Sequence, residues 1–213
     1  MPSPKRGSST VAKSQAALLS EASVRSALPD PHSPFPTRIL GIDPGLNITG
    51  YGVLERDAKN PRSPRVIEAG VVRGTSKQSL TERLVEIHRG VAEVIAALKP
   101  GVMALEQLYS HIAHPRTSIL MGHARGVICL AAAQAKIAVV HYPSTQIKRI
   151  LTGNGRATKH QMQLAISREL KLPQIPEPPD VADALAVAVC HYYLGRGEQE
   201  LIDLSEITKA ISD

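Results

Sequence analysis

Regular alternation of apolar and polar positions begins at Arg38. Ile39, Leu40 and Ile42 form an apolar run that ends on a single carboxylate, Asp43, and Pro44 and Gly45 break it. Thr49–Arg56 alternates around Tyr51 and Val53, and Arg65–Arg73 carries Val66, Ile67, Val71 and Val72. Three strands joined by short turns predict an antiparallel meander. The period then changes. Leu80, Leu84, Ile87, Val91, Val94, Ile95 and Leu98 recur at helical spacing, and Pro100–Gly101 ends that helix. Gly101–Glu106 is a short apolar strand that again closes on an acid. Beyond it the pattern predicts a helix over Thr117–Ala135, a strand over Ile137–Tyr142 and a short helix over Ser144–Leu151. A glycine loop at Gly153–Ala157, a helix at Thr158–Leu170, a proline-rich link at Pro173–Pro179 and a last helix at Asp180–Leu194 complete the order. Strand–helix–strand units call for parallel neighbours. The fold class is therefore α/β, a mixed five-stranded sheet of three antiparallel strands and parallel additions, with helices packed on it. No internal repeat is present.

Composition sharpens this picture. Apolar residues make up 43% of the 213 residues but aromatics only 3%, with no Trp and one Phe, Phe35. The core is expected to be aliphatic. A formal charge of +6, of which residues 1–37 carry +2, favours a polyanionic partner. Cys129 and Cys190 lie in apolar helical runs and read as small buried hydrophobes in a reducing compartment. No apolar run is long enough to span a membrane. Residues 1–37, rich in Ser, Pro and Ala, read as a disordered extension without the apolar core of a secretory signal; a transit peptide is the alternative. Residues 195–213 read as an acidic, partly helical tail, which leaves 38–194 as the folded domain.

The chemistry lies in the acids. Asp43 closes the first strand, Glu106 closes the fourth, and Asp180 and Asp183 open the last helix. A buried Asp is costly unless it is paired or metal-bound. Gly45 leaves open the place where a phosphate or metal would approach the backbone. Asp180 and Asp183 are spaced i, i+3, so they share a helix face and repel unless a cation lies between them. Helix capping accounts for Asp180; it accounts poorly for Asp183, which leads into the buried-looking run Ala184–Ala188. Four converging carboxylates suit hard divalent ions such as Mg²⁺, and two such ions can clamp a phosphodiester. Cysteine ligation of zinc has no support, and none of the eight His forms a helical H-x-x-x-H pair. Lys148, Arg149, Arg156 and Lys159 bracket Gly153 and Gly155, a cationic glycine loop suited to a phosphate backbone. Tyr109 stands three residues after Glu106 in a polar loop, where an aromatic face can stack on an unpaired base. His111, His114, Arg116 and Arg125 are further candidate phosphate contacts.

The segments ILGIDPGLNITGYGV, MALEQLY, HARGV, IKRILTGNGRATKHQM and DVADALAVAVCH, in that order over Arg38–Leu194, resemble the RuvC family of Holliday-junction resolvases, within the RNase H-like nucleases. The resemblance implies an RNase H-like fold, a homodimer, and a Mg²⁺-dependent endonuclease with two ions per subunit, which Mn²⁺ could replace. It implies paired symmetric nicks in four-way DNA junctions during recombination and repair, in the cytoplasm. It also implies a branch-migration helicase of the RuvA and RuvB type as partner. Asp43, Glu106, Asp180 and Asp183 match the family's four metal-binding acids, and Lys148 and Lys159 match its DNA-contacting basic residues. Tyr109 stands where the family commonly has Phe. The helix Thr117–Ala135, apolar on more than one face, is expected either to be buried or to form a two-fold contact.

Three rivals belong to other classes. Actin-like kinases share the Asp–glycine hairpin, but they need a second glycine-rich phosphate loop and a second domain. Other RNase H-like nucleases share the acids and differ in substrate. A non-catalytic junction-binding protein would bind without nicking.

Overall fold

The computed structural model describes residues 38–57, 60, 63–75, 77–107 and 115–212, which leaves the 1–37 extension outside the described residues. The meander forms where the alternation places it: β1 (Arg38–Asp43), β2 (Ile48–Glu55) and β3 (Arg65–Arg73) pair antiparallel in sequence order. Helix α1 (Leu80–Leu98) starts at a capping box, in which Ser79 and Glu82 satisfy each other's backbone amides. It carries the chain to β4 (Val102–Glu106), which lies parallel to β1. Helix α2 (Pro115–Gln134) leads to β5 (Ala138–Tyr142), parallel to β4. The sheet order is β3-β2-β1-β4-β5, so β1 is central. Then come α3 (Ser144–Thr152), α4 (Lys159–Glu169) and α5 (Pro179–Ser212). α5 runs well beyond Leu194, where the sequence pattern ended it.

Two cores lie on opposite faces of the sheet, and strand alternation assigns each residue to one of them. Leu40, Ile42, Met103 and Leu105 pack with Ile87 and Val91 of α1 and Ala124 and Ile128 of α2. Ile39, Val102 and Ala104 pack on the other face with Leu185, Ala188 and Val189 of α5 and with Ile147, Met162 and Ile166 of α3 and α4. The stretch Ala184–Cys190 is buried throughout, because the sheet covers one side of α5 and α3 and α4 cover the other. That explains its apolar character all round.

Glycine sets how closely α5 approaches. A Cβ on Gly41 would stand 2.2 Å from the Ala184 carbonyl oxygen, and one on Gly52 would stand 2.5 Å from the Leu185 side chain. The core is chiefly aliphatic as expected, but Tyr142 and Tyr192 are buried in it as well. Cys190 is buried; Cys129 is only half-buried, which corrects its expected place in the core. α2 is two-sided. Ala124, Ile128, Ala131 and Ala132 are buried while Ile119, Leu120 and Leu130 are exposed.

Candidate active site

Asp43 and Glu106 end neighbouring parallel strands. The register pairs Ile42 with Leu105, so the two acids follow at the same level on strands about 4.8 Å apart. Alternation places both on the α5 face, with Ile39 and Gly41 on β1 and with Val102 and Ala104 on β4. The turn after Asp43 is held by Thr49, whose hydroxyl donates to the Gly45 carbonyl at 2.7 Å. Arg83 of α1 also donates to the Leu46 carbonyl and to the Asn47 side chain. A Cβ on Gly45 would lie 2.1 Å from the Ile48 carbonyl oxygen. Gly45 is thus required for the turn to close, and not for a ligand to approach as the sequence suggested.

α5 supplies the other two acids. Gly50, the register partner of Asp43, is where the helix start meets the sheet: a Cβ there would fall 2.0 Å from the Asp180 carbonyl oxygen and 3.1 Å from Asp180 Cβ. Asp180 is thereby seated beside the end of β1. Asp183, one turn on, joins Glu106 in lining a small cavity of about 190 Å³ with Ser144, Lys148 and Lys159 over Met162.

The electrostatics record this convergence. The Asp43 carboxyl is pushed up from 3.8 to about 7, first by burial and then by the charges of Asp183, Glu106 and Asp180, with Lys159 opposing. Glu106 is also raised, chiefly by burial. A hydrogen bond from the Ser144 hydroxyl and the charges of Lys148 and Arg125 pull the other way. Lys159 Nζ lies 3.0 Å from Asp183, and that contact raises its own affinity for a proton. Among the described residues, no three Asp, Glu, His or Cys side chains are drawn into a ready coordination shell. Lys159 supplies the counter-charge at Asp183. The donors are all carboxylate oxygens in a site short of positive charge, which fits a hard divalent cation and not a thiolate- or imidazole-bound one.

The remaining candidates fall into four groups. Lys148 is half-buried at the cavity, and Lys159 is exposed at its rim. Arg156 is exposed in the loop between α3 and α4, and Arg116 and Arg149 are exposed on α2 and α3. Arg125 is turned inward, donating from Nη1 to the Glu106 carbonyl and from Nη2 toward His141 Nδ1. Tyr109, His111 and His114 lie outside the described residues. The sequence reading missed Ser144. A serine opening a helix is common, and nothing in the spacing links residue 144 to residue 106. It also missed Gly50, although the Gly50–Tyr51–Gly52 pattern, two glycines on one face of a strand, signals a close backbone approach.

Residues 39–191 match the family model described as crossover junction endodeoxyribonuclease RuvC. The chain belongs to the RuvC family. A RuvC from Rhodopirellula baltica is 56% identical over 158 residues, covering 73% of this chain and 86% of that one. A RuvC from Desulforamulus reducens is 44% identical over 153 residues, covering 72% and 91%. In three dimensions the chain is similar to Thermus thermophilus RuvC in complex with a Holliday junction substrate. The TM-score is 0.69 at 31% identity, with 76% of this chain and 97% of that chain covered. The yeast mitochondrial Holliday junction resolvase Ydc2 shares the RuvC fold at a TM-score of 0.58 and 14% identity. The five-stranded mixed sheet is thus that of RuvC and its RNase H-like relatives. No helix among the described residues is long and apolar enough to cross a membrane.

Proposed function

We propose that this RuvC-family chain is a crossover junction endodeoxyribonuclease that resolves four-way DNA junctions by paired symmetric nicks in recombination and repair. Its nuclease domain is residues 38–194, and it works in the cytoplasm with Mg²⁺, or Mn²⁺ in its place. The observation that carries the reading is the meeting of Asp43 and Glu106 at adjacent strand ends with Asp180 and Asp183 of α5, in surroundings that push the Asp43 carboxyl up to about 7. Asp43, Glu106, Asp180 and Asp183 would hold the ions, two per site. Bound there, they supply Lewis-acid activation of water and charge neutralisation at the scissile phosphate.

The chain's own residues do the rest. Asp43 and Glu106 end adjacent paired strands, so the sheet register sets where their backbones stand before substrate arrives. Lys148 and Lys159 flank the cavity and balance the phosphate charge as the strand enters. Arg156 follows the backbone from the α3–α4 loop. Tyr109 stacks on a base at the crossover. In-line attack leaves 5′-phosphate and 3′-hydroxyl ends. The exposed Ile119, Leu120 and Leu130 on α2 support a two-fold dimer, which presents two sites to strands of matching symmetry. A RuvA and RuvB type helicase complex delivers the junction.

Incubation of the protein with an end-labelled synthetic four-way junction, a linear duplex and an RNA–DNA hybrid tests this. Paired nicks in the junction alone, abolished by EDTA, are expected. Equal cutting of the duplex or hybrid, or binding without nicking in Mg²⁺, contradicts it. Lys148→Ala and Lys159→Ala should each weaken junction binding. Each should also reduce the slope of log affinity against log salt by about 1, as the loss of one phosphate contact requires.

A further inference from the structure

We propose that Arg125 is a positioning residue for Glu106 and not a contact to DNA. The inference rests on Glu106 being a metal ligand, as proposed above. Three observations lead to it. First, Arg125 donates from Nη1 to the Glu106 backbone carbonyl and from Nη2 toward His141 Nδ1, so both ends of its fork are directed at protein. Second, the two acceptors sit on adjacent strands. His141 is the register partner of Leu105, one residue before Glu106. The guanidinium therefore ties the last residue of β4 to β5 just where the Gln107 amide also bonds across, to the Tyr142 carbonyl at 2.8 Å.

Third, Arg125 comes from the opposite side of the sheet. Leu105 packs with Ala124 and Ile128 of α2, while Glu106, one residue on, faces α5 by strand alternation. Arg125 thus grips the peptide of Glu106 from behind, and the carboxylate projects away from it toward Ser144 and Asp183 in the cavity. A strand end is where a ladder frays, and this one carries a metal-site carboxylate. A planar fork that reaches two acceptors at fixed spacing is the side chain suited to pinning it; a lysine offers one point of charge and no such geometry. Partners of this kind, one step removed from an ion, typically change metal affinity by about 10- to 100-fold when lost.

Arg125→Ala, Arg125→Lys and Glu106→Gln should be compared with the parent in two measurements. One is Mn²⁺ binding to the free protein by titration calorimetry. The other is affinity for the four-way junction in EDTA as a function of salt. The proposal expects Mn²⁺ affinity to fall about tenfold in Arg125→Ala and several-fold in Arg125→Lys. Junction affinity and salt slope should stay within about twofold of the parent, as they do for a residue with no phosphate partner. His141→Ala keeps Arg125 but removes its second acceptor, and it should lower Mn²⁺ affinity by a smaller factor. It provides the readout should Arg125→Ala fail to fold. Arg125 variants with parental Mn²⁺ affinity, or with weaker junction binding and a salt slope reduced by about 1, overturn the proposal. Glu106→Gln separates the two levels. If it too binds Mn²⁺ like the parent, the metal-site reading fails; if it alone loses Mn²⁺, only the role given to Arg125 fails.

Discussion

Asp43→Asn should bind the four-way junction within about twofold of the parent and nick it at least ~1,000-fold more slowly, a loss of about 4 kcal/mol of transition-state stabilisation. The substitution keeps size and shape and removes the charge that would hold an ion. The same variant should be the more stable protein without metal. In the folded chain the Asp43 carboxyl is raised from 3.8 to about 7, so between those values the native state keeps a proton that the unfolded state has released. Stability of the metal-free parent therefore falls as pH rises from about 4 to about 7, and the loss is complete above that. Asparagine has no proton to lose. At pH 8 in EDTA the variant should melt roughly 5–10 °C above the parent, for a difference on the order of 2–4 kcal/mol, and the two should converge near pH 4. Calorimetric scans at the two pH values check this. Equal melting at pH 8, or nicking at the parental rate, would remove Asp43 from the centre of the site.

Gly50→Ala tests the packing that builds the site. The added methyl would stand 2.0 Å from the Asp180 carbonyl oxygen, and neither group is the yielding end of a flexible side chain. Either β2 or the start of α5 must move. Overpacking of this kind costs about 1–3 kcal/mol and occasionally more, so a melting temperature lower by roughly 5–10 °C is expected. Because the displaced backbone belongs to Asp180, cleavage should fall further than stability alone requires, and it should stay low at temperatures where the variant is fully folded. Gly41→Ala meets Ala184 and Ala188 in the same way, deeper in the sheet, and should cost more stability. A Gly50→Ala protein that melts and cleaves like the parent would show that α5 does not seat there.

The fold was legible because its elements differ in period. The alternation in β1–β3 and the 3.6-residue recurrence in α1 are local patterns, and the parallel placement of β4 follows from the helix between it and the meander. Asp43 and Glu106 stood out because each closes an apolar strand, and Asp183 because it leads into an apolar helical run; Asp180 drew notice only through its i, i+3 spacing to Asp183. What stayed hidden depends on pairs distant in sequence. Gly50 matters through Asp180, Ser144 through Glu106, and Arg125 through the backbone of Glu106. An arginine in HARGV reads as a free cation until the fold shows that its helix lies behind β4. Gly45 misled in the opposite sense: a glycine after an Asp suggests room for a ligand, whereas here the chain itself fills the space. The last helix was expected to end at Leu194 before an acidic, partly helical tail, whereas α5 runs on without a break to Ser212.

The most direct test of the account is anomalous diffraction from crystals soaked in MnCl₂. It predicts manganese peaks bounded by Asp43, Glu106, Asp180 and Asp183, with Lys159 drawn off Asp183, and no such peaks in Asp43→Asn crystals. Manganese absent from this cluster in the parent, or bound unchanged in Asp43→Asn, would contradict it.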